Sequence, residues 1–201
     1  MVESETVNSP TKLSRLLPAL QDTQIVVGTS LLIQPPQGVT YDLIVVVHAD
    51  SWLNIPDYQS SWQTFTFLYE LLSKHQQAVV LVQTYNPHHR AISYALNRNL
   101  SQMSREELAY REQHRYPPFV PMCVLMYKHE IEERLYTSVN KLYQELLYLK
   151  ESYQMNDLEI TTTPPLIYKM FGKYRYHILL KGEHVREFMD IVYSKLSLPT
   201  R

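Results

Sequence analysis

The feature that most constrains the fold is a helical segment flanked by two short, β-branched apolar runs. The runs are residues 43–47 (LIVVV) and 78–82 (AVVLV). Both are too short for a buried helix and lack polar alternation, which is typical of strands covered on both faces. The segment 58–74 between them places apolar side chains at steps of three and four: Trp62, Phe65, Leu68, Tyr69 and Leu72. This spacing predicts an amphipathic helix, and a strand, a helix and a strand in this order indicate part of a parallel α/β sheet.

The chain before these runs adds little to that sheet. Residues 1–10 are expected to be a polar, disordered tail, and Lys12–Leu20 is predicted as a short helix with its leucines on one face. Residues 25–28 (IVVG) are predicted as a third strand. The two prolines in residues 34–38 (QPPQG) require a loop, because proline has no backbone donor for a sheet. Three strands make only a piece of a parallel sheet.

Two short helices, 88–99 and 101–114, are predicted to follow. Tyr116-Pro117-Pro118-Phe119 then ends the helical pattern, since a residue before proline disfavours the α conformation. We place the domain boundary here. The predicted organisation is a lobe over 11–87, a helical connector over 88–116 and a second domain over 117–201.

The second half predicts a small α+β domain. Its clearest element is a helix with one apolar stripe: Ile131, Leu135, Val139, Leu142, Leu146 and Leu149. The predicted strands are 123–127, 158–162, 167–171 and 174–180, and a last helix covers 185–196. Gly172-Lys173 is predicted as a hairpin turn. The expected arrangement is helices packed on an antiparallel or mixed sheet.

Composition excludes several classes of protein. The lone Cys123 excludes a disulfide framework and a zinc site built on several thiolates. No apolar run reaches the roughly 18 residues that a membrane helix needs, and the first residues have no signal-peptide character, so we expect a cytoplasmic protein with no membrane partner. Only 4 glycines leave few candidates for a phosphate-cradling loop. The net charge of -1 argues against a strongly electropositive nucleic-acid binder.

Four segments, in order, carry a resemblance to a known family. They are residues 48–58 (HADSWLNIPDY), 83–89 (QTYNPHH), 106–119 (EELAYREQHRYPPF) and 172–182 (GKYRYHILLKG). They resemble the N-A-D-x-x-L-x-x-P-D-F, Q-T-Y-N-P-x-H, E-E-L-x-x-R…Y-P-P-F and G-R-Y-R-W…L-L-L-K-G segments of the PriA-type replication-restart helicases (primosomal protein N′). Together the four matches are specific. The resemblance implies an α/β fold: a partial RecA-like second helicase lobe with a parallel sheet, followed by a small α+β C-terminal domain.

The chain departs from the family where ATP is hydrolysed. Such helicases need a P-loop, an acidic Mg²⁺-holding motif and arginines at the γ-phosphate. No G-x-x-x-x-G-K-[ST] occurs here, and the family's cysteine-rich zinc module is absent. The sixth helicase motif, Q-x-x-G-R-x-G-R, falls on residues 70–77 (ELLSKHQQ), where Lys74 cannot supply a bidentate guanidinium. We predict no catalytic residues and no cofactor, with ATPase activity only if another chain brings the P-loop.

The leading candidate site is basic. Lys169, Lys173, Arg175 and Lys181 lie in a stretch that has no acid between Glu159 and Glu183. Tyr174 and Tyr176 are added as candidates for stacking on bases or sugars. The alternative is a solvated hairpin whose tyrosines pack inward.

A second acid-free stretch runs from Leu71 to Arg105 and contains Lys74, Arg90 and Arg98. It spans several elements and is a weaker candidate. No metal is expected, because the adjacent His88 and His89 would point about 100° apart on a helix.

These features lead to one hypothesis and an alternative. The first is a non-catalytic module that binds forked or single-stranded DNA. The family resemblance implies a primosome component or the single-stranded-DNA-binding protein as its partner. The alternative is a structural or pseudo-helicase subunit that completes a split helicase lobe in another chain. An exposed apolar sheet edge around residues 25–47 would favour the alternative, and a continuous basic face with Lys173 and Arg175 would favour DNA binding.

Overall fold

The computed structural model describes residues 23–34 and 40–196. The chain divides into two compact units between Glu107 and Leu108. This division lies inside the segment 88–116, and the predicted domain boundaries stay a prediction. The expected tail 1–10 and the predicted helix Lys12–Leu20 lie outside the described residues.

The first unit contains the predicted strand–helix–strand arrangement. Its elements are β1 (Leu43–Val46), α1 (Ser60–Lys74), β2 (Val79–Val82), α2 (Arg90–Leu96) and the first part of α3 (Leu100–Gln113), with 3-10 turns at Ser30–Ile33 and Ala49–Ser51. Strands β1 and β2 pair in parallel, with Leu43 opposite Val79 and Val46 opposite Val82. The parallel pairing predicted from two β-branched runs around a helix is therefore confirmed.

One side of this two-stranded sheet is covered. Phe65 and Leu68 of α1 are buried together with Ala91, Ile92, Ala95 and Met103 from α2 and α3. Val46 and Val82 pack on this cluster from the sheet. The helical spacing of α1 is what brings its apolar side chains onto the strands.

The other side of the sheet is open, which corrects the expectation that these strands are covered on both faces. Leu43, Val45, Val79 and Leu81 are 54%, 51%, 61% and 54% exposed. A uniformly apolar run predicts a strand, but it does not show how many layers cover it. The described residues of the first unit cover one face only. We call these four side chains the open sheet face.

The predicted strand at 25–28 is also wrong. Gly28 forms a single bridge, and Ile25 and Val27 are 80% and 59% exposed. An apolar run becomes a strand only where a neighbouring strand pairs with it, and among the described residues none pairs with 25–27.

The second unit is an antiparallel sheet with two helices, as predicted. Its elements are β3 (Met122–His129), α4 (Glu132–Ser152), β4 (Glu159–Thr163), β5 (Lys169–Met170), β6 (Lys173–Lys181) and α5 (Val185–Lys195). The central strand β6 pairs with β3, β4 and β5, all antiparallel. Together with the parallel pair of the first unit, this confirms the predicted α/β class.

The core of the second unit lies between its helices and one face of the sheet. Leu135, Leu142 and Leu146 of α4 are buried with Ile178 of β6 and Phe188 of α5. Cys123 packs against this cluster as a partly buried apolar residue. Burial of its thiol raises the pKa of Cys123, so the side chain stays protonated.

The hairpin differs from the prediction in its turn. The predicted strand 167–171 shortens to Lys169–Met170, and the two turn residues are Phe171 and Gly172 rather than Gly172 and Lys173. Lys173 is the first residue of β6, opposite Met170. The sequence places a turn near Gly172, but the pairing register fixes which two residues form it.

Candidate nucleic-acid interface

The hairpin turn sets the direction of every side chain on β6. Phe171 and Gly172 have φ of +50° and +74°, the left-handed geometry of a two-residue type I′ turn. A Cβ on Gly172 would meet nothing within 4 Å, so glycine is needed for its backbone angle and not for space. The strand that follows alternates its side chains between the two faces of the sheet.

Tyr174 and Tyr176 lie on the covered face. Both pack against the core of the second unit, and the Tyr176 ring meets Tyr136 of α4 edge-on with ring centroids 5.4 Å apart. Tyr174 packs beside Tyr168 at 5.6 Å. Their rings are engaged in protein packing, as in the alternative of tyrosines that pack inward, and their contact with DNA stays a prediction.

Three cations lie near the turn on the opposite face, which we call the basic outer face: Lys128, Lys173 and Arg175. Alternation puts Lys173 and Arg175 on the same side of β6. Lys128 of β3 is directly opposite Arg175 in the antiparallel register and is exposed. The Lys173 side chain is 52% exposed, and its Nζ lies 3.8 Å from Glu130 Oε1. An exposed pair at that distance is weak and leaves Lys173 available to another anion.

Arg175 also holds the loop in place. Its Nε and Nη2 donate to the carbonyl of Ile167 at 3.1 and 2.7 Å, and its backbone N–H donates to the carbonyl of Tyr168. The guanidinium is thus oriented by the loop before the hairpin. Its positive charge still adds to the field of the outer face, because a carbonyl does not neutralise it.

Lys169 and Lys181 are not part of this face near the turn. Lys169 Nζ donates to Tyr174 Oη at 3.1 Å and lies 4.3 Å from the centroid of that ring. Lys181 is at the far end of β6, about 26 Å from Lys173 along an extended strand. Its side chain is 18% exposed, and its Nζ lies 3.1 Å from Glu159 Oε2. The structure therefore gathers Lys173 and Arg175 and separates Lys181 from them.

His177 lies on the same side of β6 as Arg175, between Arg175 and Lys181 along the strand. Burial, with the positive charge of Arg175 beside it, holds the pKa of His177 below its ordinary value. The imidazole is consequently neutral at physiological pH and adds no charge to the basic outer face.

The secondary candidates are all engaged in the first unit. Lys74 pairs with Glu70 one turn earlier on α1. Arg90 donates to the buried carboxylate of Glu107 at 2.7 Å. Arg98 donates to the carbonyl of Leu72 at 3.1 Å. Each contact holds its cation against a neighbouring group of the first unit. These three cations therefore stay weaker candidates for DNA contact.

Two of the matched motifs meet through Asp50. The Asp50 carboxylate accepts hydrogen bonds from the Tyr85 N–H at 2.9 Å and from Thr84 Oγ1 at 2.8 Å. These bonds lower the pKa of Asp50, since they favour its charged form. Strands β1 and β2 end at the same edge of the parallel sheet, and Asp50 links the segments that follow them. Its observed role is structural.

Residues 23–34 and 40–196 contain neither a metal-ligand cluster nor a membrane-spanning helix. No group of three or more His, Cys, Asp or Glu side chains there is placed to hold a metal ion. Within the same residues, no helix is long and apolar enough to cross a bilayer.

Two residues of interest were missed from the sequence. Lys128 sits in an apolar strand, and only the register of β3 on β6 puts it beside Arg175. The apolar pattern places Phe171 in the predicted strand 167–171, although its position next to Gly172 is a signal for the turn.

The chain is similar to proteins described as replication restart protein PriA. It is 28% identical to the protein of Thermotoga maritima over 84% of the chain. It is 24% identical to that of Chlamydia pneumoniae over 80% of the chain. The match to the protein of Rickettsia conorii is 22% identical over 100% of the chain. No family model matches the sequence.

The resemblance predicted from the four motifs is confirmed by these matches. The chain covers 22% of each of the first two relatives and 31% of the third. It therefore spans between about a fifth and a third of the length of these relatives.

Proposed function

We propose that this relative of the replication restart proteins is a non-catalytic DNA-binding module that contacts forked or single-stranded DNA through its basic outer face. The observation that carries the proposal is the register that puts Lys128 opposite Arg175 beside Lys173. Several cations on one open sheet face can contact and neutralise neighbouring phosphates of a DNA strand.

The charge distribution supports this proposal. The chain has a net charge of -1, yet no acid lies between Glu159 and Glu183. Glu130 approaches the face beside Lys173, whereas Glu159 lies beside Lys181 at the far end of β6. A local excess of positive charge on a near-neutral protein favours contact with a few phosphates, with modest affinity and a small salt dependence.

The relatives' name supports the choice of DNA and of a replication-restart setting. Forked DNA, with single strands beside a duplex, is the substrate class we assign. A primosome component or the single-stranded-DNA-binding protein is the proposed protein partner. The chain acts without ATP hydrolysis, because residues 70–77 lack the arginines that the reaction requires.

The test is charge reversal of the two lysines of the basic outer face. The K128E/K173E variant should bind forked DNA at least about 30-fold more weakly at low salt, because two contacts of about 1 kcal/mol each are replaced by repulsion. Arg175 is left in place, since its bonds to Ile167 orient the loop.

The matched control is K141E/K195E, which makes the same change in charge elsewhere on the second unit. Lys141 is on α4 and Lys195 ends α5. This variant should keep its affinity. Equal weakening of both variants would show a general charge effect and contradict the proposed face.

A second candidate function is favoured by the open sheet face. Leu43, Val45, Val79 and Leu81 form a contiguous apolar surface on a two-stranded sheet. Parallel sheets are normally covered on both faces. As the completing part of a split helicase lobe, the chain would bury this surface against another chain.

That function is tested with a helicase relative lacking the corresponding part of its second lobe. The chain should bind it in trans, and V45K/L81K should abolish binding without lowering the melting temperature of the chain. Absence of any binding by the unsubstituted chain would contradict lobe completion.

A further inference from the structure

The hairpin tip carries an exposed aromatic ring that packing does not explain. Phe171 is 92% exposed, at the first central position of the turn between β5 and β6. Its backbone φ is +50°. A phenylalanine there buries almost none of its apolar surface.

Both the backbone and the side chain of Phe171 are unfavourable for folding. A bulky residue at positive φ is an outlier, and this turn position prefers asparagine or glycine. An outlier maintained without a packing benefit is a reason to look for function. The ring projects from the tip of the hairpin, where a ligand can reach it.

The surroundings of the tip indicate the chemistry of that ligand. Lys173 directly follows the turn on β6, and Lys169 lies two residues before Phe171 on β5. Lys173 also belongs to the basic outer face, so phosphates bound there would bring their bases near the tip. A ring beside cations is the arrangement with which proteins bind single strands, because every base has a face for stacking. An apolar protein segment would gain little from the flanking ammonium groups.

We propose that Phe171 stacks on an unpaired nucleobase of single-stranded DNA whose phosphates contact the basic outer face. This inference rests on the proposed function and adds base stacking to it. The ring would favour the single-stranded arm of a fork over continuous duplex, where bases are already stacked.

The test compares an oligothymidylate with an abasic strand of equal length. The wild-type chain should bind the oligothymidylate more tightly, by about 5- to 150-fold for one stacked base. F171N should remove most of this preference. F171W should retain it, because indole also stacks.

Melting temperature separates stacking from a structural role. Asparagine suits the left-handed turn, so F171N should melt at the same temperature as wild type or higher. The control is Y148A on α4, where an exposed tyrosine (71%) is replaced by a good helix former. It should keep both the melting temperature and the preference for bases.

Each remaining outcome contradicts a defined claim. If F171N keeps the preference for the oligothymidylate, or melts well below wild type, the stacking inference is wrong. If wild type binds the two strands equally, the bases contribute nothing to binding and the inference again fails. In these cases the proposed function still stands if K128E/K173E weakens binding. If wild type binds neither strand nor forked DNA, the proposed function fails as well.

Discussion

Gly182 shows how one residue of a matched motif serves the fold. A Cβ at this position would lie 3.0 Å from both the carbonyl oxygen of Asp157 and the Cα of Leu158. Both are backbone atoms that cannot move aside cheaply. The glycine lets the end of β6 pass close to the chain entering β4, and this explains the glycine of the L-L-K-G segment by packing.

We expect G182A to destabilise the second unit by about 1 to 3 kcal/mol, the range for overpacking in a close-packed site. Urea unfolding followed by circular dichroism measures this change. The control is G172A, where a Cβ has open space and only the φ of +74° costs stability, by about 1 kcal/mol. A smaller loss of stability for G182A than for G172A would show that the close backbone approach at Gly182 does not require a glycine.

A pH-dependent contact lies next to this glycine. The Asp157 carboxylate accepts from the N–H of Glu183 at 2.8 Å and from His184, whose Nδ1 lies 3.0 Å from it. This bond to Asp157 raises the pKa of His184. Burial raises the pKa of Asp157, but its bonds with His184 outweigh burial and leave that pKa below its usual range.

The signs of these shifts give the pH at which the contact stabilises the fold. The raised pKa of His184 contributes stability below about pH 6.5, and this is lost as the pH rises through the folded-state pKa. The lowered pKa of Asp157 contributes stability above about pH 4, and this is lost on acidification. H184Q should therefore destabilise the chain most between these limits, as measured by urea unfolding across pH. A deficit that grows above pH 8 would contradict this assignment.

At the scale of elements, the sequence predicted what depends on local periodicity. The stripe of α4 is the clearest case, since Leu135, Val139, Leu142, Leu146 and Leu149 are all buried. Strands β1 and β2 followed from their β-branched composition in the same way. A helix or strand whose apolar spacing is regular needs no knowledge of distant residues.

Features that depend on pairing could not be predicted. Residues 25–28 have strand composition, yet no described strand lies beside 25–27. The turn lies one residue earlier in the structure than predicted. A difference of one residue in register changes which side chains share a face. Lys128 joined the candidate site only through its register with Arg175. The composition of one β-strand does not show which strand pairs with it or in which register.

The second unit should fold alone. Its core combines α4, α5 and three strands of one sheet, which is enough for an independent domain. A protein of residues 108–201 should unfold cooperatively with urea. Residues 1–107, with an exposed apolar sheet face, should not unfold cooperatively in isolation. Non-cooperative unfolding of 108–201 would contradict the separate core.

At the scale of the whole molecule, we propose that the chain acts without phosphoryl transfer, since no P-loop pattern occurs in its sequence. Lys74, which the resemblance aligns with the arginine motif, pairs with Glu70 near the end of α1. We expect no ATP hydrolysis by the chain with or without DNA, measured as phosphate release. DNA-stimulated hydrolysis that is lost in K74A would contradict this expectation.

The central claim is that a few cations on one sheet face bind DNA through its phosphates. The most direct measurement is the affinity for forked DNA across a series of salt concentrations. We expect the logarithm of the association constant to fall linearly with the logarithm of salt, by about 0.7 to 0.9 per phosphate contact. K128E/K173E should reduce this slope by about two units at most, while K141E/K195E keeps it. A wild-type affinity that does not change with salt, or a slope unchanged in K128E/K173E, would contradict the claim.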